Sequence, residues 1–148
     1  EYELKYGNYF FHALYELDKE RVYRFIGENR HVAWMHAYAP KSHNDFVAVF
    51  KNVTSLDDFT EEVITDFVIS LKNIFSVLNE QGFSSFNNMM SFVRDGKKRT
   101  LYLRLIPRLV IGQLGTSDIN FFQALHKEPL SYKRPEDVAE LARKYFSS

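Results

Sequence analysis

Residues 99–108, RTLYLRLIPR, show a clear alternation of apolar and polar positions. A period of two is typical of a half-buried β-strand, because successive side chains point to opposite faces of a sheet. The leucines would face a core, and the other face would carry the residues between them, Thr100, Tyr102 and Arg104. Pro107 lacks a backbone donor and is expected to end the strand.

A second pattern, over residues 60–82, predicts one long helix. Apolar residues recur at spacings of three and four and form one stripe, namely Ile64, Phe67, Val68, Leu71, Ile74, Phe75 and Leu78. Thr60 is suited to cap the first turn, and Gly82 to adopt the left-handed conformation that closes a helix. A helix of about 20 residues is about 30 Å long, which is enough to lie across a small sheet.

Shorter patterns complete the order of elements. We predict a short helix at 9–17, an antiparallel hairpin of strands at 21–26 and 31–38, and a central strand at 45–50. A strand at 83–93 pairs with the strand at 99–108, further short strands lie at 109–111 and 119–125, and Pro135 opens a last helix at 136–145. This order predicts an α+β fold over residues 1–148, with one long helix packed across an antiparallel sheet and a C-terminal helix.

Composition and charge narrow the classes of partner. The chain has 148 residues with 19 Lys and Arg and 19 Asp and Glu, so the formal net charge is zero. That balance gives no electrostatic reason to expect nucleic acid or an anionic membrane as a partner. The absence of cysteine excludes disulfides and thiolate metal ligands and fits a reducing compartment. Since the chain starts at Glu1, we expect either a processed product or a domain of a longer protein.

The histidines form no recognisable metal or catalytic motif. They show neither HxH nor HExxH spacing and lie at His12, His31, His36, His43 and His126. His31 and His36 are an odd number of positions apart along one predicted strand, so they fall on opposite faces. We therefore expect no metal, no cofactor and no catalytic histidine.

Several segments, taken in order, resemble the HIT superfamily, and more closely its galactose-1-phosphate uridylyltransferase branch. The strand, Glu-Asn turn and strand of that branch are matched by RVYRFIGENRHVAW, and its loop and central strand by HAYAPKSHNDFVAVF. Its long helix is matched by SLDDFTEEVITDFVISLKNIFSVL, and its strand with an aromatic-Asn pair by SSFNN. Its strand ending in Ile-Pro-Arg is matched by LYLRLIPRL, and its final helix by RPEDVAELAR. The resemblance covers residues 20–145.

The resemblance implies one half of a two-copy enzyme. Members of this branch contain two copies of the fold, of which one uses a His-Pro-His motif for nucleophilic attack on a phosphate. This chain is more similar to the second, C-terminal copy. It contains no His-Pro-His motif, and the family's histidine positions on the 99–108 strand fall on Thr100, Tyr102 and Arg104. We therefore expect no nucleotidyl transfer by this chain alone, but a pairing role and one wall of a nucleotide or sugar-phosphate site.

The candidate ligand-binding residues are Arg104, Tyr102, Arg108, Asn87, His43 and Gln123. A strand arginine such as Arg104 is able to hold a phosphate by a bidentate contact, although it also commonly pairs with an acid. Through the resemblance, Asn87 is comparable to an asparagine that contacts the nucleotide, the alternative being a polar strand residue bonded to its own backbone. Gln123 lies in the region of a sugar-binding Glu of the family. His43 falls in a loop at the edge of the expected cleft, where the alternative is a surface histidine.

Three hypotheses follow. The first is a HIT-like domain that pairs with an active half, and the second is a stand-alone nucleotide- or phosphate-binding module. The third is an unrelated α+β interaction domain. For the first two, the expected partners are a nucleotide or sugar phosphate and another HIT-like half or a second copy, in the cytoplasm. An upstream His-Pro-His motif in the same gene would favour the first hypothesis over the second.

Overall fold

The computed structural model describes residues 10–91, 100–108, 131 and 133–147. Over these residues the chain forms the predicted α+β fold, with helices packed on an antiparallel sheet. The helices are α1 (Phe10–Arg21), α2 (Glu61–Glu80) and α3 (Pro135–Arg143), with a short 3₁₀ turn at Leu56–Asp58. The strands are β1 (Phe25–Glu28), β2 (Val32–His36), β3 (Phe46–Phe50), β4 (Phe86–Ser91) and β5 (Tyr102–Pro107). The sheet order is β1-β2-β3-β5-β4, and each neighbouring pair is antiparallel.

The ends of α2 form as the sequence predicts. The hydroxyl of Thr60 accepts a hydrogen bond from the amide of Val63 at 3.4 Å, and the first turn contains Glu61 and Glu62. Carboxylates at this end favour the helix because they lie near its unpaired amides. Gly82 has a φ of 82°, the left-handed conformation expected just after the helix.

The main core lies between one face of the sheet and the helices α2 and α3. Leu101, Leu103 and Leu105 all belong to it, as their alternation predicts. The residues of α2 that are buried here are Val63, Ser70, Ile74, Val77 and Leu78. The predicted stripe of α2 is therefore partly wrong, because Ile64 and Val68 are about half exposed. The stripe is wider than the arc of the helix that contacts the sheet.

On the second face of the sheet, α1 covers β2 and β3. Tyr15 of α1 packs in a smaller cluster with Ala33, Met35, Val47 and Val49 of β2 and β3. The predicted helix at 9–17 is therefore longer than expected, and it runs on to Arg21. The strand predicted from residue 21 accordingly begins only at Phe25.

Other boundaries differ by a few residues. β1 continues through Gly27, which was expected in the turn. A side chain at this position has no room, since a Cβ there would lie 2.4 Å from Cβ of Phe146. The short strands predicted at 109–111 and 119–125 lie outside the described residues. None of the helices in the described part of the chain has the length and apolar character needed to span a membrane.

Candidate functional site

The open part of the second sheet face lies over β5 and β4, beside the area that α1 covers. The register places Met89 opposite Arg104 and Asn87 opposite Ile106, so these side chains share one face. Asn87 and Met89 are exposed, while Arg104 and Ile106 are half-buried. We define the β5/β4 face by these four residues. Sequence reasoning correctly placed Arg104 on the face opposite the leucines.

Arg104 is held by a buried carboxylate. Its Nε donates to Oδ1 of Asp45 at 3.0 Å, and its Nη2 donates to Oδ2 of the same residue. Nη2 also lies 3.4 Å from the carbonyl oxygen of Ala39. The Asp45 side chain is fully buried and that of Arg104 is 18% exposed. These bonds use Nε and Nη2 of Arg104, and within the described part of the chain no hydrogen bond to its Nη1 is found.

The same carboxylate organises the loop between β2 and β3. Its Oδ2 accepts from the amide of Lys41 at 2.7 Å, and the backbone oxygen of Asp45 accepts from the amide of Ala37 at 2.8 Å. Asn44 has a φ of 55° and donates through Nδ2 to Oε1 of Gln81 at 2.8 Å. The loop is thereby fixed against both β5 and the end of α2, and it forms a rigid rim for the β5/β4 face.

An exposed aromatic ring belongs to this rim. Tyr38 is 70% exposed, and the guanidinium carbon of Arg24 lies 4.9 Å from the centre of its ring. Arg24 is itself held by Asp18 and by Glu136, whose Oε1 is 3.3 Å from Nη1. Burial raises the pKa of Asp18, and the neighbouring Arg24 opposes that rise. Arg24 therefore contacts the ring of Tyr38, while most of the Tyr38 side chain is exposed to solvent.

Tyr102, another predicted site residue, lies beneath α1. Its ring stacks on that of Phe11, with ring centres 4.0 Å apart and planes 30° from parallel. It shares a face with Arg104, as predicted, but it packs against the helix that covers β2 and β3. Tyr102 therefore lies two positions from Arg104 on β5, but α1 covers its ring.

His43 is buried and not at the surface. It is 5% exposed, and its ring centre is 5.9 Å from that of Phe83, which packs against the main core. Burial lowers the pKa of His43, with a smaller contribution from Lys133. Since Phe83 belongs to the core on the α2 side, the structure does not bring His43 together with the β5/β4 face.

The remaining candidates are less informative. Arg108 follows β5, and its amide donates to the carbonyl oxygen of Ser85 at 2.9 Å. Gln123 lies outside the described residues. Within the part of the chain that the structure describes, no group of three His, Asp or Glu side chains is close enough to bind a metal ion.

Asp45 and Tyr38 are residues of the candidate site that sequence reasoning missed. Asp45 opens an apolar strand, and its partner Arg104 is 59 positions away in the chain, so no local pattern connects them. Tyr38 is one of nine tyrosines and stands in a stretch that alternates like a strand. The only indication that Tyr38 lies near a loop was the Pro-Lys-Ser-His-Asn sequence at 40–44, which is typical of loops.

Comparison with known proteins identifies the fold. A scan against models of protein families gives no match, and neither does a search of curated proteins. Among solved structures, a uridylyltransferase aligns with a TM-score of 0.77 at 15% identity, over 99% of this chain and 47% of that one. An ADP-glucose phosphorylase from Arabidopsis thaliana with bound ADP-glucose aligns with a TM-score of 0.71 at 16% identity, over 97% and 45%.

A single-domain protein shows the same arrangement. A zinc-bound histidine triad family protein from Mycobacterium smegmatis aligns with a TM-score of 0.61 at 13% identity, over 91% of this chain and 92% of that one. This chain therefore spans about half the length of the uridylyltransferase and ADP-glucose phosphorylase chains, and nearly all of the histidine triad family protein. The strand order, the long helix across the sheet and these alignments together establish that the chain has the fold of the HIT superfamily.

Proposed function

We propose that this chain is a HIT-like domain that binds the phosphate of a nucleotide or sugar phosphate and pairs with a second HIT-like half. Arg104 carries this proposal, because its guanidinium is fixed by Asp45 through Nε and Nη2, and its side chain is 18% exposed on the β5/β4 face. An arginine that is already oriented loses little freedom when it binds an anion. Asn87, one strand away on the same face, adds an amide that is able to bond a phosphate or sugar oxygen.

Tyr38 extends the proposed site beyond the phosphate. Its ring is open on the side away from Arg24, and exposed aromatic rings offer a surface for stacking a base or sugar. The carbonyl oxygen of the next residue, Ala39, lies 3.4 Å from Nη2 of Arg104. A ligand with its phosphate at Arg104 and its ring at Tyr38 would use both features.

We further propose that the domain itself performs no nucleotidyl transfer and acts in the cytoplasm. The strand that carries Arg104 contains no histidine, and an imidazole is the nucleophile that this chemistry requires in the family it resembles. A purified chain incubated with ADP-glucose should give no covalent adduct by mass spectrometry. An adduct on any of its histidines would contradict the proposal.

A stand-alone binding module is the second candidate. The alignment over 92% of a single-domain histidine triad family protein favours it, since a domain of this length is complete in that protein. The two candidates differ in what the gene encodes. An upstream His-Pro-His copy of the fold supports pairing with an active half, and its absence supports the stand-alone module.

The ligand proposal is tested by isothermal calorimetry with ADP-glucose, glucose 1-phosphate and inorganic phosphate. Replacing Arg104 with Lys keeps a cation beside Asp45 but removes Nη1, and we expect binding to weaken about 10- to 100-fold, the value of one charge-assisted bond. Asn87→Ala should weaken binding about 2- to 10-fold through loss of a neutral hydrogen bond.

Asn88→Ala is the matched control, because Asn88 is exposed on the same strand but opposite Leu105, on the other face. We expect this variant to bind like the unmodified chain. If no probe binds at millimolar concentration, or if Asn88→Ala and Asn87→Ala lose equal affinity, the β5/β4 face is not the binding site.

A further inference from the structure

Two buried histidines lie at the loop that joins β2 to β3, residues 37–45, which we call the β2/β3 loop. His36 ends β2 and is fully buried, and His43 lies within the loop and is 5% exposed. The amide of Ala37 donates to the carbonyl oxygen of Asp45 at 2.8 Å, which closes the base of the loop. A positive charge on either histidine would therefore lie inside the protein, where it is costly without a partner.

The contacts of His36 suit a neutral imidazole. Its Nδ1 lies 3.1 Å from the carbonyl oxygen of Ala37, and because a carbonyl oxygen only accepts, Nδ1 carries the proton. Its Nε2 is buried and has no hydrogen-bond partner among the described residues. The ring packs against that of Phe46, with ring centres 6.0 Å apart. A second proton, on Nε2, would thus create both a buried charge and an unpaired donor.

The two carboxylates that act on His36 are already paired with arginines. Asp45 and Glu136 both favour a protonated His36. However, Asp45 is bonded by two nitrogens of Arg104, and Oε1 of Glu136 lies 3.3 Å from Nη1 of Arg24. Arg24 itself opposes a charge on His36. Burial therefore outweighs these carboxylates and keeps the pKa of His36 below its usual value.

His43 has cationic neighbours. Burial lowers its pKa, and Lys133, just before α3, and His36 lower it further. A charge on one of the two histidines therefore opposes a charge on the other. The ring of His43 lies beside the uncharged ring of Phe83. Its surroundings thus favour the neutral form, as those of His36 do.

The end of α2 and the loop itself add little charge on this side. Neutral Gln81 accepts the hydrogen bond from Asn44 of the loop. The carboxylate of Glu80 is bonded by Lys144 at 2.6 Å, and Lys41 of the loop is exposed. The closed loop therefore holds both histidines in a setting that disfavours protonation.

We propose that acidification opens the β2/β3 loop by charging His36 and His43, and that this opening separates Asp45 from Arg104. In the open loop each imidazole reaches water and takes up a proton below about pH 6.5, so opening binds protons and is favoured by acid. Tyr38 and Asp45 both lie in the loop, so a ligand that uses Arg104 and Tyr38 together binds the closed loop. This regulation of ligand binding rests on the proposed function, whereas the opening itself does not.

Amide hydrogen exchange of the 148-residue chain, followed by NMR between pH 7 and 5.5, tests the proposal. The amides of Ala37 and Lys41 report on the loop, because they bond Asp45 at 2.8 and 2.7 Å. After correction for the intrinsic exchange rate, we expect their opening constant to rise about tenfold if one histidine is charged, and up to about 70-fold if both are. The amide of Phe50, bonded to the carbonyl oxygen of Leu101 at the far end of β3, should change less than about twofold.

Substitutions separate the two histidines from other titrating groups. His36→Phe and His43→Phe each keep an aromatic ring and remove one site of protonation, so each should reduce the rise. With both substitutions together, the rise should fall below about twofold. His31→Gln is the matched control, because His31 is half-buried and bonded to Asp66 before the opposite end of β2. We expect this variant to keep the full rise, and circular dichroism checks that each variant is folded.

The proposal is overturned if the opening constant does not rise, if Phe50 responds as strongly as Lys41, or if the rise persists in the double variant. A decrease on acidification would also overturn it, because protonated His36 would then have gained an acceptor. The buried Oδ1 of Asn44, which has no partner among the described residues, is one such acceptor.

ADP-glucose distinguishes the loop from the proposed ligand site. At a saturating concentration it should slow the exchange of Lys41 at pH 5.5 about tenfold or more, because it binds the closed loop. Acid-sensitive exchange that ADP-glucose leaves unchanged would contradict the ligand site and support the opening of the loop.

Discussion

Arg104 and Asp45 form an ion pair that supports the loop between β2 and β3, and the proposed ligand site depends on this pair. Asp45 is fully buried, and Arg104 contacts it through two nitrogens. A buried ion pair adds little when compared with apolar residues, but removal of one partner leaves the other charge buried and unpaired. A variant that removes only one of the two charges should therefore lose more stability than a variant that removes both.

For Arg104→Ala we expect a loss of about 3–5 kcal/mol in the free energy of unfolding, since Asp45 is left without its partner. The double variant Arg104→Ala, Asp45→Asn should lose clearly less than the sum of the losses of Arg104→Ala and Asp45→Asn, because no charge remains buried. Urea unfolding followed by circular dichroism measures both. Additive losses would show that the two residues do not interact in solution.

At the scale of elements, α2 is the element whose ends the sequence predicted best. Its cap at Thr60 and the left-handed Gly82 that follows it were expected from sequence, and the structure confirms both. The strand β5 likewise has the predicted alternation, with its odd-numbered positions buried. What the periodicity of α2 did not indicate is which part of a broad apolar stripe would meet the sheet.

Thr60→Ala should destabilise the domain by about 1 kcal/mol, because the amide of Val63 loses its hydrogen-bond acceptor at the start of α2. Thr60→Ser, which keeps the hydroxyl, should unfold within a few tenths of a kcal/mol of the unmodified chain. Both are measured by urea unfolding. Equal losses for the two variants would indicate that the hydroxyl does not cap the helix.

At the scale of the whole molecule, the burial of two of the four described histidines is expected to make stability depend on pH. His36 is fully buried and His43 nearly so. Burial lowers the pKa of each, with Asp45 and Glu136 partly offsetting this at His36. The unfolded chain binds protons at these residues below about pH 6.5, whereas the folded chain does not yet do so.

The free energy of unfolding should therefore fall as pH decreases from about 6.5 towards 5, by roughly 1 kcal/mol per pH unit. Unfolding at a series of pH values measures the slope, and His36→Phe should reduce it because one titrating group is removed from the unfolded chain. A flat profile across this range, or an unchanged slope in His36→Phe, would contradict the expectation. Above pH 5 the titration of Glu28 interferes little, because bonds from Lys19 and Lys51 lower the pKa of its carboxyl group.

The sequence by itself determined the order of the helices and strands and which residues of β5 point to each face of the sheet. Some features depend only on residues that are close together in the sequence. These are the cap of α2, the period of two in β5 and the order of strands and helices. On that basis Tyr102 and Arg104 were correctly placed opposite the leucines, and the fold class followed.

Only the tertiary structure decided what those faces contact. The partner of Arg104 is 59 residues away, and Phe11 of α1 covers Tyr102. His43, in a loop sequence typical of the surface, is enclosed beside Phe83. Each of these contacts joins segments that are distant in the chain, and it depends on the packing of several elements at once, which no periodicity along the chain records.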